Sequence, residues 1–339
     1  MHKVPRSLFP IAAAAVLVLA LPGLRSRAQQ AVEAALPPWV YSIPTPRPAD
    51  APKPAPLDDT TLLHVPGSTA GYTAKFIASL ATVPDWFPSA HPPMPEVVES
   101  GHKPGGAACA HCHLPNGLGG PENANLAGQS QAYMLQQMED FKSGARHSSS
   151  SKMGSVNNMI RVSQTITPEE MKAGIAYFAA LKPQPWVRVV ETETVPTTHV
   201  GNYILVPDIP APGTPAATEP IGERLIEVPV NAVRTEQKDS STSFIAYVPT
   251  GSLKRGETLV KTGGGKTMPC ATCHGADLHG LGAVPAIAGR TPTGMTRQLI
   301  DIKGGARNGA AAAMMKPVVA NLTTADMIAI TAYLASLNP

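Results

Sequence analysis

The sequence predicts a mainly α-helical protein. Two tandem copies of one small helical domain follow a Pro-rich arm and flank an insert that is β-like or extended. Three observations predict it. First, Cys109-Ala110-His111-Cys112-His113 is matched by Cys270-Ala271-Thr272-Cys273-His274, and shifting the chain by 161 positions superposes the two. Second, the same shift brings Leu126-Ala127-Gly128 onto Ile287-Ala288-Gly289 and Lys142 to Arg146 onto Lys303 to Arg307, and self-similarity at a fixed offset is the mark of a duplicated unit. At a shift of 156, Met159 meets Met315, Thr167 meets Thr323, Met171 meets Met327, Tyr177 meets Tyr333 and Leu181 meets Leu337. The slip falls in the run Ser148 to Ser151, a surface loop where extra residues cost little. Third, a capped helix closes each copy: Thr167-Pro168-Glu169-Glu170 in one, Thr323-Thr324-Ala325-Asp326 in the other. Each offers Thr as N-cap with acid in the first turn, and the first adds Pro at the first helical position.

In chain order, residues 1–28 read as a signal peptide. Lys3 and Arg6 precede an apolar run from Leu8 to Leu21, and Ser26 and Ala28 are the small residues a peptidase needs before the cut. The run is shorter than the roughly 20 residues that span a bilayer. If uncleaved, this N-terminus is a membrane anchor, so membrane association through it or through partners stays open. The segment carries four of the 27 Lys/Arg and no acid, so its removal leaves 23 against 24 Asp/Glu. That balance provides no basic surface for nucleic acid.

Residues 29–59 form a Pro-rich linker, and prolines at 44, 46, 48, 52, 54 and 56 favour extended polyproline segments without a core. Residues 60–94 form an N-terminal strap, with a short helix near Ala74 to Leu80 and with Trp86 and Phe87 set to pack on the first copy. His64 and His91 read as ordinary loop histidines. The first copy covers 95–183 and the second 253–339. Entry helices are expected at Glu96 to Gly101 and Glu257 to Thr262, and middle helices at Gln131 to Lys142 and Thr296 to Lys303. Met134, Leu135, Met138 and Phe141 recur at helical spacing. Between the copies, 184–252 holds β-branched runs (Trp186 to Val190, Tyr203 to Val206, Leu225 to Val230, Phe244 to Val248) parted by Pro and Gly/Ser/Thr clusters. It is either a layer that clamps the two copies or a partner-docking arm.

All four cysteines lie in the two pentapeptides. C-x-x-C-H is the attachment signature of c-type haem: Cys109 and Cys112, and Cys270 and Cys273, each supply two thiols for thioethers, and His113 and His274 lie under the iron. A zinc site wants four tetrahedral ligands. A thioredoxin-like dithiol wants a βαβ context, and a disulfide leaves the two histidines unexplained. The sixth iron ligand decides function, because a Met thioether gives a six-coordinate iron of raised potential suited to electron transfer. Met159 and Met315 match across the repeat, each seven residues before Ile166 or Leu322, in a loop ahead of the last helix. Met153, Met314 and, for the first copy, His147 compete with them. Met134, Met138, Met171 and Met327 read as core filler. Arg146 and Arg307 either face haem propionates or are solvent-exposed cations at a helix C-terminus.

These motifs resemble a dihaem cytochrome c of the cytochrome c4 type, two class I cytochrome c domains in tandem. The shared pieces are C-x-x-C-H, Leu126 to Gln129 or Ile287 to Gly289, the middle helix ending in Gly-x-Arg, the Met segment, and Ala176 to Phe178 or Ala332 to Leu334. The resemblance covers about half the chain. It implies a periplasmic electron carrier with two covalent haem c groups and His/Met ligation at both. Three features depart from it. Ala124 stands where the family has Pro, as Pro285 does in the second copy; any carbonyl accepts an imidazole N–H, so a small effect is expected. About seventy residues separate the copies where the family has a short linker, which leaves the family's face-to-face haem pair open. The N-terminal arm has no counterpart there.

The expected function is single-electron transfer in the periplasm between a dehydrogenase, or a quinol-oxidising complex, and a terminal oxidase. The partners are then redox proteins, and the long arms favour the variant in which the chain is a dehydrogenase's cytochrome subunit. The alternatives, an oxidoreductase acting on a small sulfur compound or peroxide and a gas sensor, both need an open haem site. The paired methionines argue against one, and no catalytic constellation is legible beside either motif.

Overall fold

A computed structural model describes residues 35–48, 51 and 53–339. The signal segment and the start of the linker lie outside the described residues.

Each copy is built around its motif helix. In the first copy the helices are Glu96–Ser100, the motif helix Cys109–His113, the middle helix Gln131–Ser143, Gly154–Thr165 and the last helix Pro168–Ala180. Ser130 opens the middle helix by accepting the Tyr133 N–H, and Gly144 ends it in the left-handed region at φ 77°, where glycine costs least. Both last helices carry full capping boxes, Thr167 with Glu170 and Thr323 with Asp326. In the second copy the order is Ser252–Thr262, the motif helix Ala271–His274, the middle helix Pro292–Gly304, a 3₁₀ stretch Ala310–Met315 leading into Lys316–Val319, and Thr324–Ser336.

Three boundaries differ from expectation, each for a local reason. The second middle helix starts at Pro292, the first helical position after Thr291, where a proline's missing N–H costs nothing. The second entry helix starts at Ser252, so Gly256 falls inside it. A Cβ at Gly256 would stand 1.9 Å from the Ala329 carbonyl oxygen, so the entry and last helices cross at backbone distance and only glycine fits. Finally, Met159 lies within the helix Gly154–Thr165 rather than in a loop. The extra residues of the first copy let this segment close full helical turns, where the second copy has a 3₁₀ stretch and a single turn.

The insert forms a three-stranded sheet. Phe244–Val248 is central, parallel to Val187–Glu191 and antiparallel to Ile226–Pro229. Phe244 packs into the core of the first copy beside Trp186, while Val248 joins Val228, Ile328 and Ala332 in a core shared with the last helix of the second copy. One strand thus reaches both cores, which makes the insert a clamp. Two short antiparallel pairs, Thr194–Pro196 with Thr218–Pro220 and Thr198–Val200 with Leu205–Pro207, complete it.

The linker departs from the core-free reading. Trp39, Val40 and Tyr41 are buried after a turn in which the Val40 N–H donates to the Pro37 carbonyl at 3.0 Å. The Arg297 guanidinium donates to the Val40 carbonyl at 2.8 and 3.1 Å, and the Tyr41 hydroxyl donates to Asp301 Oδ1 at 2.7 Å. The strap keeps its expected short helix, but Trp86 and Phe87 pack in the strap's own small core rather than in that of the first copy. The helix Ala74–Ala78 shares this core of Val65, Ile77 and Trp86, and Val83 enters the core of the first copy. No single helix among the described residues is long and apolar enough to cross a membrane.

Candidate haem sites and the junction between them

In both copies the motif folds as one helical turn, and residues three apart on a helix share a face. All four thiols are free. Burial pushes the Cys109 thiol up to about 12 and the Cys270 thiol up to about 11. A redox dithiol needs a depressed thiol pKa, whereas burial raises both thiols of the first motif. Among the described residues no three His, Cys, Asp or Glu side chains gather as a metal cluster, which removes the zinc reading there.

His113 and His274 are buried. His113 Nδ1 lies 2.8 Å from the Ala124 carbonyl oxygen and His274 Nδ1 lies 2.8 Å from that of Pro285. A carbonyl only accepts, so Nδ1 carries the proton and Nε2 presents its lone pair, the tautomer a metal ligand needs. Burial lowers both imidazole pKa values, holding them neutral. Ala124 thus does the work of Pro285 at the same distance, as expected for a backbone carbonyl. Phe178 of the last helix meets the His113 ring edge-on at 5.9 Å.

The methionines divide by burial. Met315 is partly buried in the cluster that holds Cys270, while Met314 is exposed. In the first copy Met153 is fully buried at the helix N-cap and Met159 is half-buried in mid-helix. His147 belongs to the junction between copies, its N–H donating to the Ala306 carbonyl at 2.9 Å.

Arg146 and Arg307 are not solvent-exposed helix-end cations. They pair with each other as an antiparallel β-bridge, and an antiparallel pairing of equivalent residues is what a two-fold axis produces. The side chains repeat the symmetry. Arg146 donates to Gln137 Oε1 and Gln298 Oε1, both at 2.9 Å, and Arg307 donates to Gln298 Oε1 at 3.2 Å and Gln137 Oε1 at 2.8 Å. Arg307 also donates to the Tyr133 hydroxyl at 3.0 Å. Burial and the facing Arg307 push the Arg146 guanidinium down to about 10. Neither arginine forms an ion pair among the described residues, and Arg307 Nε is buried without a partner. Two half-buried cations with unused donor capacity suit a group that brings carboxylates. Gln137 and Gln298 went unnoticed in the sequence, although the 161-position shift superposes them.

The site therefore meets each demand of haem c: paired thiols, a neutral histidine with free Nε2, and half-buried guanidinium groups for propionates. A family model described as Cytochrome c matches residues 98–182 and 253–338. The chain belongs to the cytochrome c family. Its two domains carry two covalently bound haem c groups, and the protein is a dihaem electron-transfer cytochrome. It is similar to cytochrome c4 of Azotobacter vinelandii, 26% identical over 241 residues that cover 68% of this chain and 85% of that one. It is also similar to the thiosulfate dehydrogenase electron acceptor of Stutzerimonas stutzeri, 36% identical over 86 residues covering 24% of this chain and 38% of that one. Among solved structures, reduced recombinant cytochrome c4 from Pseudomonas stutzeri aligns with a TM-score of 0.44 at 19% identity, covering 68% of this chain and 93% of that one.

Proposed function

We propose that this cytochrome, with domains at 95–183 and 253–339, works in the periplasm after loss of residues 1–28. It passes single electrons from a dehydrogenase or quinol-oxidising complex toward a terminal oxidase. Haem c, when bound, supplies a one-electron ferric/ferrous couple. Cys109 and Cys112, with Cys270 and Cys273, anchor it as thioethers. His113 and His274 would ligate the iron through Nε2, oriented by the Ala124 and Pro285 carbonyls. Met159 and Met315 would supply thioether sulfurs to the iron, and Arg146 and Arg307 would hold propionates from one shared junction. The reading rests on one observation: two matched histidine sites flank a two-fold junction whose half-buried arginines have no acid partner among the described residues. The likeness to a thiosulfate dehydrogenase's electron acceptor supports a dehydrogenase as the upstream partner. It also supports the variant in which the chain serves as that enzyme's cytochrome subunit.

The test is the optical spectrum of the oxidised and reduced protein with and without carbon monoxide. Two low-spin haems inert to carbon monoxide are expected. Met159→Ala and Met315→Ala should each turn one haem high-spin or solvent-ligated and lower its potential, while Met153→Ala and Met314→Ala should not. A wild-type haem that binds carbon monoxide sinks the carrier reading and brings the oxidoreductase forward. Low-spin spectra in both Met159→Ala and Met315→Ala sink the ligand assignment.

A further inference from the structure

The two motifs are alike in sequence but not in surroundings. Around the first, Ala110, His111 and Leu118 are buried. The strap closes over it: the Ala108 N–H donates to the Leu80 carbonyl at 2.8 Å and His111 Nδ1 to the Thr82 carbonyl at 3.1 Å. The insert closes the rest. Trp86 Nε1 donates to the Gln237 carbonyl, Asn116 Nδ2 to the Ser240 carbonyl and Trp186 Nε1 to the Gly119 carbonyl. At the equivalent places of the second copy, Ala271, Thr272 and His279 are exposed. Met268 is 44% and Leu281 67% exposed beside them, so apolar side chains face solvent at the motif that no described residue covers.

Charge follows the same division. The first copy, 95–183, holds seven Lys/Arg and seven Asp/Glu, whereas the second, 253–339, holds nine against four, or +5. Lys254, Lys261, Lys266, Lys303 and Lys316 are exposed. An apolar centre within a field of one sign steers a partner of the opposite sign.

From this asymmetry we infer that the cytochrome meets its redox partner through the second copy alone. The docking surface centres on Met268, Ala271, Thr272 and Leu281, and the partner is a redox protein with an acidic rim around an apolar contact. The strap and insert withdraw the first motif from intermolecular exchange, so its haem communicates through the Arg146–Arg307 junction. This deepens the electron-carrier reading and rests on it.

The experiment titrates ¹⁵N-labelled reduced holoprotein with reduced plastocyanin, an acidic copper protein, as probe. Amide shifts are expected at 268–281 at about 0.01 M ionic strength, where screening reaches about 30 Å, and are lost near 1 M, where it reaches about 3 Å. Leu281→Glu should weaken binding about tenfold or more by setting like charge against the probe. Shifts centred on 80–86, or no salt-dependent shift at 268–281, would overturn the inference. A carbon monoxide control separates the two failures. Haems inert to carbon monoxide without these shifts refute only the docking surface, whereas carbon monoxide binding removes the carrier reading and this surface with it.

Discussion

Glu227 offers the sharpest physical test of the clamp. It lies on the strand Ile226–Pro229 and is 2% exposed. Its Oε2 accepts the Thr293 N–H at 3.0 Å at the start of the second middle helix, while Oε1 has no hydrogen-bond partner among the described residues. Burial pushes its carboxyl from 4.5 up to about 7; hydrogen bonds from Thr293 pull it back, and the nearby Glu122 charge adds to the rise. The sign follows directly. An acid whose folded pKa exceeds its unfolded value holds its proton on folding. Its contribution is intact below about pH 4.5, declines as the pH rises to about 7, and stays low above that. At roughly 1.4 kcal/mol per pKa unit the loss is about 3 kcal/mol. Glu227→Gln keeps the acceptor for Thr293 and removes the titration. At pH 8 the variant should be the more stable by up to about 3 kcal/mol, or about 6 °C in Tm for a chain of this size. At pH 5 the two should agree within about 1 kcal/mol. Thermal unfolding of both holoproteins at the two pH values is the assay, and the difference between variants cancels contributions they share. An equal Tm gap at pH 5 and pH 8 would refute the reasoning.

Two other changes probe how the parts are held. Tyr41→Phe removes the hydroxyl that donates to the buried Asp301 carboxylate and should cost about 1.5–3 kcal/mol, read as a lower denaturant midpoint at unchanged slope. An unchanged midpoint would mean that the arm docks without this bond. Phe244→Ala empties the place where the central strand enters the core of the first copy and should cost about 3–5 kcal/mol. A cost below about 1 kcal/mol would show that the strand is not a clamp.

What was legible in the sequence is what repeats or caps. The helices of both copies follow from Thr167, Thr323 and the apolar spacing, because caps and periodicity are local. His113 and His274 stand out in the sequence because the motif that names them is local. The arm was misread because proline spacing dominates its composition, while Trp39, Val40 and Tyr41, the residues that bury, form one short triplet. The second entry helix was cut short at Gly256 because glycine reads as a breaker until the partner helix is known. Arg146 and Arg307 were left between two roles, since nothing local to either says that Gln137 and Gln298 lie across from them. The parallel pairing of Val187–Glu191 with Phe244–Val248 joins residues too distant in sequence for periodicity to report.

The closure over the first motif also orders events in the life of the chain. Ser240, which takes the Asn116 hydrogen bond, lies 124 residues further along, and the strap reaches the same place from the N-terminal side. Once both have closed, Ala110 and His111 lie beneath them, and an attaching enzyme has no approach to that side of Cys109 and Cys112. Covalent maturation of the first motif is therefore expected to precede closure of the sheet, while the exposed Ala271 and Thr272 leave that face of the second motif open after folding. On that expectation the insert sets an order of events: a chain that folds before its first haem is fixed covers the Ala110 and His111 face of the motif.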